Sequence, residues 1–450
     1  MSTSQQLELF QGNQDNVNEI ENWGTFKDSL REPVHRWFTY PAGFSYKAVS
    51  HSIERFGITP NMVVYDPFMG SGTTNLTCKS LGISSYGVEA HPFVYKIAKT
   101  KMNWEVNRSE VIFFLKKVEN IFLDKLNLVI KEKDFSINNC FPELVIKCYS
   151  DDTLKKLYVL KILLQSEKLS QSVFDFFYVV ITALLREISS AATGWPYIAP
   201  NKIKTSSSEK EVLKEFIKLS YEMLEDISII RRKSSPKYAD SIHRIFNSDS
   251  RNTENLLQNN SIDHVFTSPP YLNNFDYSDR TRLELYFWGE ANNWKDISNK
   301  IRTKLMTSAT TQIMRSDPRY ILSDSFNQDC PDVSSFIKNS VNKLDQLRKV
   351  KGGKKSYDLM VVGYFNDIYN IIKDVYRVLR HDTRALFVLG DSAPYGVHIP
   401  TDRLIGEIGV CIGFDNYKIE VLRKRGDKWK SNPQRHNVAL QESIVILEKN

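Results

Sequence analysis

At 450 residues the chain exceeds one ordinary domain, and length alone sets an expectation of about two or three. Hydrophobic residues at 41%, charged residues at 25% and aromatics at 12% are globular values, which exclude a disordered, collagen-like or low-complexity chain. Lys and Arg number 60 against 53 Asp and Glu, and the resulting +7 supports a polyanionic partner only where the excess is clustered.

The longest apolar stretch, Val173 to Leu185, is broken by Asp175 and falls short of the roughly 18 to 20 residues of a membrane span, so it reads as a core helix. The first residues, MSTSQQLELFQGNQDN, carry neither a basic nor an apolar leader region. Five cysteines form no CxxC pair, so neither a disulfide framework nor a metal site is expected. The expectation is a cytoplasmic chain without membrane association.

The polar first twenty or so residues give way near Trp23 to the unusually aromatic HRWFTYPAGFSYKAV, His35 to Val49. An α/β alternation follows. Met62 to Tyr65 reads as a buried strand ending at Asp66, Thr73 to Leu81 as a helix and Ser85 to Val88 as a strand ending at Glu89. Pro92 to Met102 reads as a helix with proline in its first turn, where the missing N–H is harmless.

From about residue 105 to 235 apolar residues recur at helical spacing, with glycine almost absent before Gly194, and this segment reads as a helical insertion. Strands are expected at Ile242 to Phe246 and Ile262 to Phe266. A second, polar insertion spans about 272 to 356. A helix at Asp367 to Leu379, a strand at Ala385 to Leu389, a helix at Asp402 to Cys411 and strands at Lys418 to Leu422 and Ser443 to Leu447 complete the chain. The organisation is therefore a doubly wound, Rossmann-like sheet in three pieces (1–104, 236–271 and 357–450) interrupted by two insertions.

The sharpest local signal is VVYDPFMGSGTT, Val63 to Thr74. A buried strand running through Gly70 and Gly72 into a helix permits positive φ and close backbone approach, and its helix N–H groups can meet an anionic group. No lysine is placed as in a triphosphate loop, and the dinucleotide GxGxxG is absent. Glu89 ends the next strand seventeen residues after Gly72, where a carboxylate can accept from two ribose hydroxyls. A second signal is FTSPPY, Phe266 to Tyr271. Two prolines remove two N–H donors and stiffen the turn, leaving a carbonyl and the Ser268 hydroxyl outward beside an aromatic ring. A planar base with an exocyclic amine needs two such acceptors and a stacking face.

DPFMGSGTT resembles the S-adenosylmethionine motif of DNA amino methyltransferases, and TSPPY resembles their catalytic motif, in which Asp, Asn or Ser precedes Pro-Pro-Tyr. The resemblance covers about half the chain. It implies that Asp66, Pro67, Phe68, Gly70, Ser71, Gly72, Thr73 and Thr74 form the cofactor loop, with Phe68, Gly70 and Gly72 lining the pocket. It implies that Ser268 and the Pro269 carbonyl bind the target amine, with Pro270 stiffening the loop and Tyr271 stacking on a flipped base. Asp249, in NSDSR, matches the family's acid at the cofactor adenine, and Phe44 and Ser45 match the lead-in that closes over the methionine end. The run Val421 to His436 holds Arg423, Lys424, Arg425, Lys428, Lys430 and Arg435 against Asp427, which suits phosphate contact beside a base-flipping site. Lys343 to Lys355 is a second basic run.

Direct transfer to an amine needs no covalent nucleophile, only positioning and acceptors. Cytosine C5 methylation needs a thiolate after proline, and no Pro-Cys dipeptide occurs. The family's preference for Ser before Pro-Pro-Tyr in cytosine enzymes implies N4-methylcytosine in double-stranded DNA. N6-adenine methylation is the alternative, followed by RNA or protein methylation, and by a binding module without activity. Target recognition is expected in the insertions, the helical one as scaffold and clamp, the polar one as groove reader. The resemblance also raises a cognate restriction or defence nuclease as a partner.

Overall fold

The computed structural model describes residues 23–450 except 41–42, 133–134, 193–198, 204–210, 274, 316–319, 352–354 and 426–437. Its centre is a seven-stranded sheet of β1 (Val63–Asp66), β2 (Ser84–Val88), β3 (His243–Phe246), β4 (Ile262–Thr267), β5 (Leu379–Gly390), β6 (Asn416–Arg425) and β7 (Leu440–Lys449), in the order β3-β2-β1-β4-β5-β7-β6. Neighbours from β3 to β5 pair in parallel, and β7 runs antiparallel to both β5 and β6. The chain moves outward from β1 to β3 and then restarts at β4 on the other side of β1. This reversal opens a crevice beyond the carboxyl ends of β1 and β4, where open α/β sheets bind ligands. The fold is α/β and Rossmann-like.

Period-two alternation sends successive strand residues to opposite faces. Val64, Phe266, Leu386, Val388, Ile444 and Ile446 pack with Ala48, Val49 and Ile53 of α1 (Tyr46–Arg55) and Cys78 of α2 (Thr73–Leu81). Tyr65, Val265, Phe387, Leu389, Val445 and Leu447 form the opposite face with the later helices. After α3 (Pro92–Met102) come α4 (Arg108–Lys131), α5 (Asp151–Ser166), α6 (Gln171–Ile188) and α7 (Val212–Lys233), with a two-stranded ribbon of Ala191–Ala192 and Ala199–Ile203 between α6 and α7. These helices build a separate core with Phe93, Val94 and Ile97 of α3.

The second insertion divides between two cores. Leu283, Leu285, Tyr286, Phe287 and Trp288 of α8 (Arg282–Trp288), with Ile297 and Ile301, complete the core of the helical insertion. Glu284, fully buried, pairs with Arg186 of α6. Met306, Leu322 and Phe326, with Val333, Ile337 and Leu344 of α9 (Pro331–Val350), instead pack on the sheet with α10 (Tyr357–Val378) and α11 (Thr401–Ile412). α10 begins ten residues before the helix expected from the sequence: Asp358, Met360, Val361, Val362, Tyr364 and Phe365 are buried, and this nearly all-apolar turn around Gly363 conceals helical periodicity. Among the described residues no helix is long and apolar enough to cross a membrane.

Candidate active site

β1 ends at the fully buried Asp66, whose carboxylate accepts the Phe68 amide at 3.0 Å and the Thr267 hydroxyl at 2.6 Å. One side chain thus fastens the loop after β1 to the end of β4. Burial pushes its carboxyl up to about 6. Thr74 adds a bond from Oγ1 to the Phe266 carbonyl at 3.3 Å. Between these ties Gly70 and Gly72 adopt φ of 55° and 91°, the left-handed region that glycine enters without strain. Gly72 begins α2 against α3, where an added Cβ would lie 3.5 Å from Ala98 Cβ.

The loop is also held from β2. Glu89 accepts the Gly70 amide on Oε2 at 2.9 Å and the His91 amide on Oε1 at 2.7 Å. Its carboxyl is pushed up to about 7, first by burial, against the downward pull of those two amides. His91, buried, meets Thr281 across the entrance to α8 at 2.8 Å, and burial lowers its imidazole to about 3.

These pieces line a cleft at the crevice between β1 and β4. Of the residues marked in the sequence, Phe44, Pro67, Phe68, Gly70, Ser71, Thr73, Glu89, Asp249, Ser268 and Pro270 line it. Ser268 donates to the Val388 carbonyl at 2.9 Å, which leaves the lone pairs of its hydroxyl as acceptors. Asp249 is chelated by Arg251, whose Nη1 reaches Asp367 of α10 at 2.9 Å. Asp367 in turn accepts the Thr307 amide at 2.8 Å.

Other marked residues stand behind the wall. Ser45 caps α1 and donates to Asp28 at 2.8 Å. Asp66, Gly72 and Thr74 fasten the loop from beneath, and Pro269 is buried. Tyr271, read from the sequence as the stacking ring, is buried, with its hydroxyl donating to Glu442 of β7 at 2.7 Å. The cleft also receives residues that sequence reasoning missed. Tyr40 and Tyr277 stand with ring centroids 5.8 Å apart, and Lys304, Leu305 and Met306 come from the second insertion. Tyr40 lies inside the aromatic lead-in, which was a usable signal; 304–306 carry none.

Near the catalytic loop, Arg423 pairs with Glu442 and the Arg425 guanidinium lies 5.4 Å from the Tyr271 ring centroid, while Lys424 is exposed. Lys428, Lys430 and Arg435 lie outside the described residues.

The DNA methylase family model, of the N6/N4 type, matches residues 2–100, the stretch that holds the glycine loop and Glu89. The chain is similar over nearly its whole length to type II methyltransferases. M.BsoBI of Geobacillus stearothermophilus is 26% identical over 473 residues, covering 94% of this chain and 87% of that protein. M.AvaI of Anabaena variabilis is 23% identical over 418 residues, covering 88% and 82%. M.MvaI of Kocuria varians is 22% identical over 456 residues, covering 95% and 93%.

The chain thus resembles DNA methylases of the N6/N4 type through its first hundred residues and type II methyltransferases over nearly its whole length. DNA methyltransferases of that family take their methyl group from S-adenosylmethionine, and the residues present here fit that molecule. The glycine loop presents backbone without side chains, Glu89 supplies a carboxylate at the end of β2, and Phe68 and Phe44 supply apolar walls.

Proposed function

We propose that the enzyme transfers a methyl group from S-adenosylmethionine to the exocyclic N4 of a cytosine flipped out of double-stranded DNA. The observation that carries the reading is convergence: residues of the loop after β1 and of the loop after β4, about two hundred positions apart, line one cleft. Phe68, Gly70, Ser71 and Phe44 are assigned to the methionine side, Glu89 to the ribose and Asp249 to the adenine. Ser45, Asp66, Pro67, Gly72, Thr73 and Thr74 support that pocket.

The bound cofactor supplies an electrophilic sulfonium methyl. The chain's own contribution is to present acceptors to an amine that gains positive charge as it attacks, and to hold it on line. Ser268 suits this task, because its proton is already given to Val388 and its oxygen remains an acceptor. The Pro269 carbonyl is assigned as the second acceptor, in a loop that the two prolines stiffen. Tyr271, buried behind the cleft wall and tied to Glu442, is assigned with Pro270 to holding the loop. The cluster of Arg423, Lys424 and Arg425, extended by Lys428, Lys430 and Arg435, is assigned to phosphates, and a cognate nuclease of a restriction–modification pair is the proposed biological counterpart. Serine before Pro-Pro-Tyr supports cytosine over adenine.

The test is incubation with labelled cofactor and mixed-sequence duplex, followed by nucleoside mass spectrometry. N4-methylcytidine is the expected product. N6-methyladenine alone would overturn the base, and label confined to RNA would overturn the substrate.

A further inference from the structure

Glu442 carries a carboxylate into the buried part of a strand, between Gln441 and Ser443. It is 2% exposed on β7, next to Ser443, Ile444 and Val445, and burying a charge there is unfavourable unless the charge is matched. Its partners are particular: Arg423 Nε from β6 on one oxygen and the Tyr271 hydroxyl on the other, at 2.7 Å. Nor can it turn elsewhere, because the Gly24 backbone passes so close that an added Cβ would lie 2.4 Å from Oε2. The ring it grips is fixed on further sides. Arg425 lies over Tyr271, in space that exists because residue 390 is glycine: a Cβ there would sit 2.0 Å from the Arg425 Nη1 and 3.3 Å from Tyr271 Cδ2. Burial and the Glu442 charge hold the Tyr271 phenol well above its usual range, so its hydroxyl stays a donor.

We propose that Glu442 is a positioning residue for methyl transfer, acting through the Tyr271 hydroxyl to fix the 268–271 loop so that Ser268 and Pro269 meet the target amine. The inference rests on the methyltransferase reading given above. The loop then hangs from two later strands, by Ser268 from Val388 of β5 and by Tyr271 from Glu442 of β7. In Glu442→Gln the amide can still accept from the phenol with its oxygen, but its NH₂ then faces the Arg423 donor, so the grip is lost without emptying the space.

The test is a double-mutant cycle on the full chain with Glu442→Gln, Tyr271→Phe and the pair. Methyl transfer to unmethylated bulk duplex DNA gives kcat and KM, and calorimetry with S-adenosylhomocysteine gives cofactor affinity. Each single variant is expected to lower kcat by about tenfold, the double variant no further, and cofactor affinity to stay within about twofold. Multiplied losses in the double variant, unchanged kcat in Glu442→Gln, or a parallel loss of cofactor affinity would overturn the proposal. Tyr271→Phe removes only the hydroxyl and spares the Glu442–Arg423 pair, so unchanged kcat in that variant overturns it even if Glu442→Gln fails to fold. A parent enzyme that labels no DNA is a different outcome, and it removes the functional reading itself.

Discussion

Glu89 accepts the amide of Gly70 at 2.9 Å, so the acidic end of the second strand holds the glycine loop of the first. The same carboxylate that faces the cleft therefore also shapes it. Any ligand that bonds to Glu89 is read by the loop, and any change in its charge is felt at both places.

Its titration makes this measurable. Burial raises the Glu89 carboxyl to about 7 in the folded chain, so the protonated form is the one folding favours. For a raised pKa the stabilising contribution is complete below the ordinary value of 4.5 and is lost as pH rises through about 7. Glu89→Gln is neutral throughout. The melting temperature of the parent relative to this variant should fall as pH rises from about 5 to about 8 in the ligand-free protein. Parallel profiles would show that Glu89 is not the titrating group. Ribose hydroxyls favour the ionised form, so S-adenosylhomocysteine binding near pH 6 should release protons, seen as a buffer-dependent enthalpy.

At Gly70 the backbone has φ 55° and an added Cβ would reach the Tyr40 ring at 3.5 Å. Gly70→Val combines a left-handed backbone, unfavourable by about 1–2 kcal/mol for a residue with a Cβ, with a branched side chain in the cleft. Affinity for S-adenosylhomocysteine should fall by more than about tenfold by calorimetry. Parent-like affinity would move the cofactor elsewhere.

Ser268→Ala removes an acceptor from the cleft and a donor from Val388 without filling space. Turnover should drop by roughly tenfold to a hundredfold, with cofactor affinity nearly unchanged. Equal losses in both quantities would make the serine a structural tie only.

The two insertions share the ion pair of Arg186 and Glu284, the latter with a fully buried side chain. Glu284→Ala leaves a largely buried guanidinium short of a partner and should destabilise the fold by about 3 kcal/mol in urea titration. A change within about 0.5 kcal/mol would mean that the contact between the segments is dispensable.

Exposed Lys424 and paired Arg423 should separate by assay. Lys424→Ala should lower the slope of log affinity against log salt by about 0.9 if it meets one phosphate. Arg423→Ala should act chiefly on turnover, through Glu442. A salt slope unchanged in Lys424→Ala would take the exposed lysine off the DNA path.

The strands nearest the site, β1, β2 and β4, were legible because they are short, largely buried and closed by turn residues. Asp66 and Glu89 lie at or just beyond strand ends, where the sequence reading placed them. The two motif loops could be read for the same local reason. Tyr277 and the 304–306 segment were not legible, since their place in the cleft depends on contacts such as Arg251 with Asp367 and His91 with Thr281, which join residues more than a hundred positions apart. The segment 283–288 reads as mixed polar and apolar until α6 supplies Arg186 for Glu284 and Thr182 for the Trp288 indole. Gly363 likewise has meaning only once Thr307 and Tyr320 press against it, where a Cβ would sit 2.9 Å from each.

The shared core of the two insertions bears on how such a chain can diversify. A lineage that acquired only residues 105–235 from another enzyme would inherit an apolar groove shaped for a foreign α8, and one that acquired only 272–356 would inherit the plug without its socket. Shuffling of these segments therefore has to carry both together or proceed residue by residue along their seam. Homologous breakpoints should accordingly fall outside 105–301, so that the piece of sheet bearing TSPPY travels with the helices on either side of it.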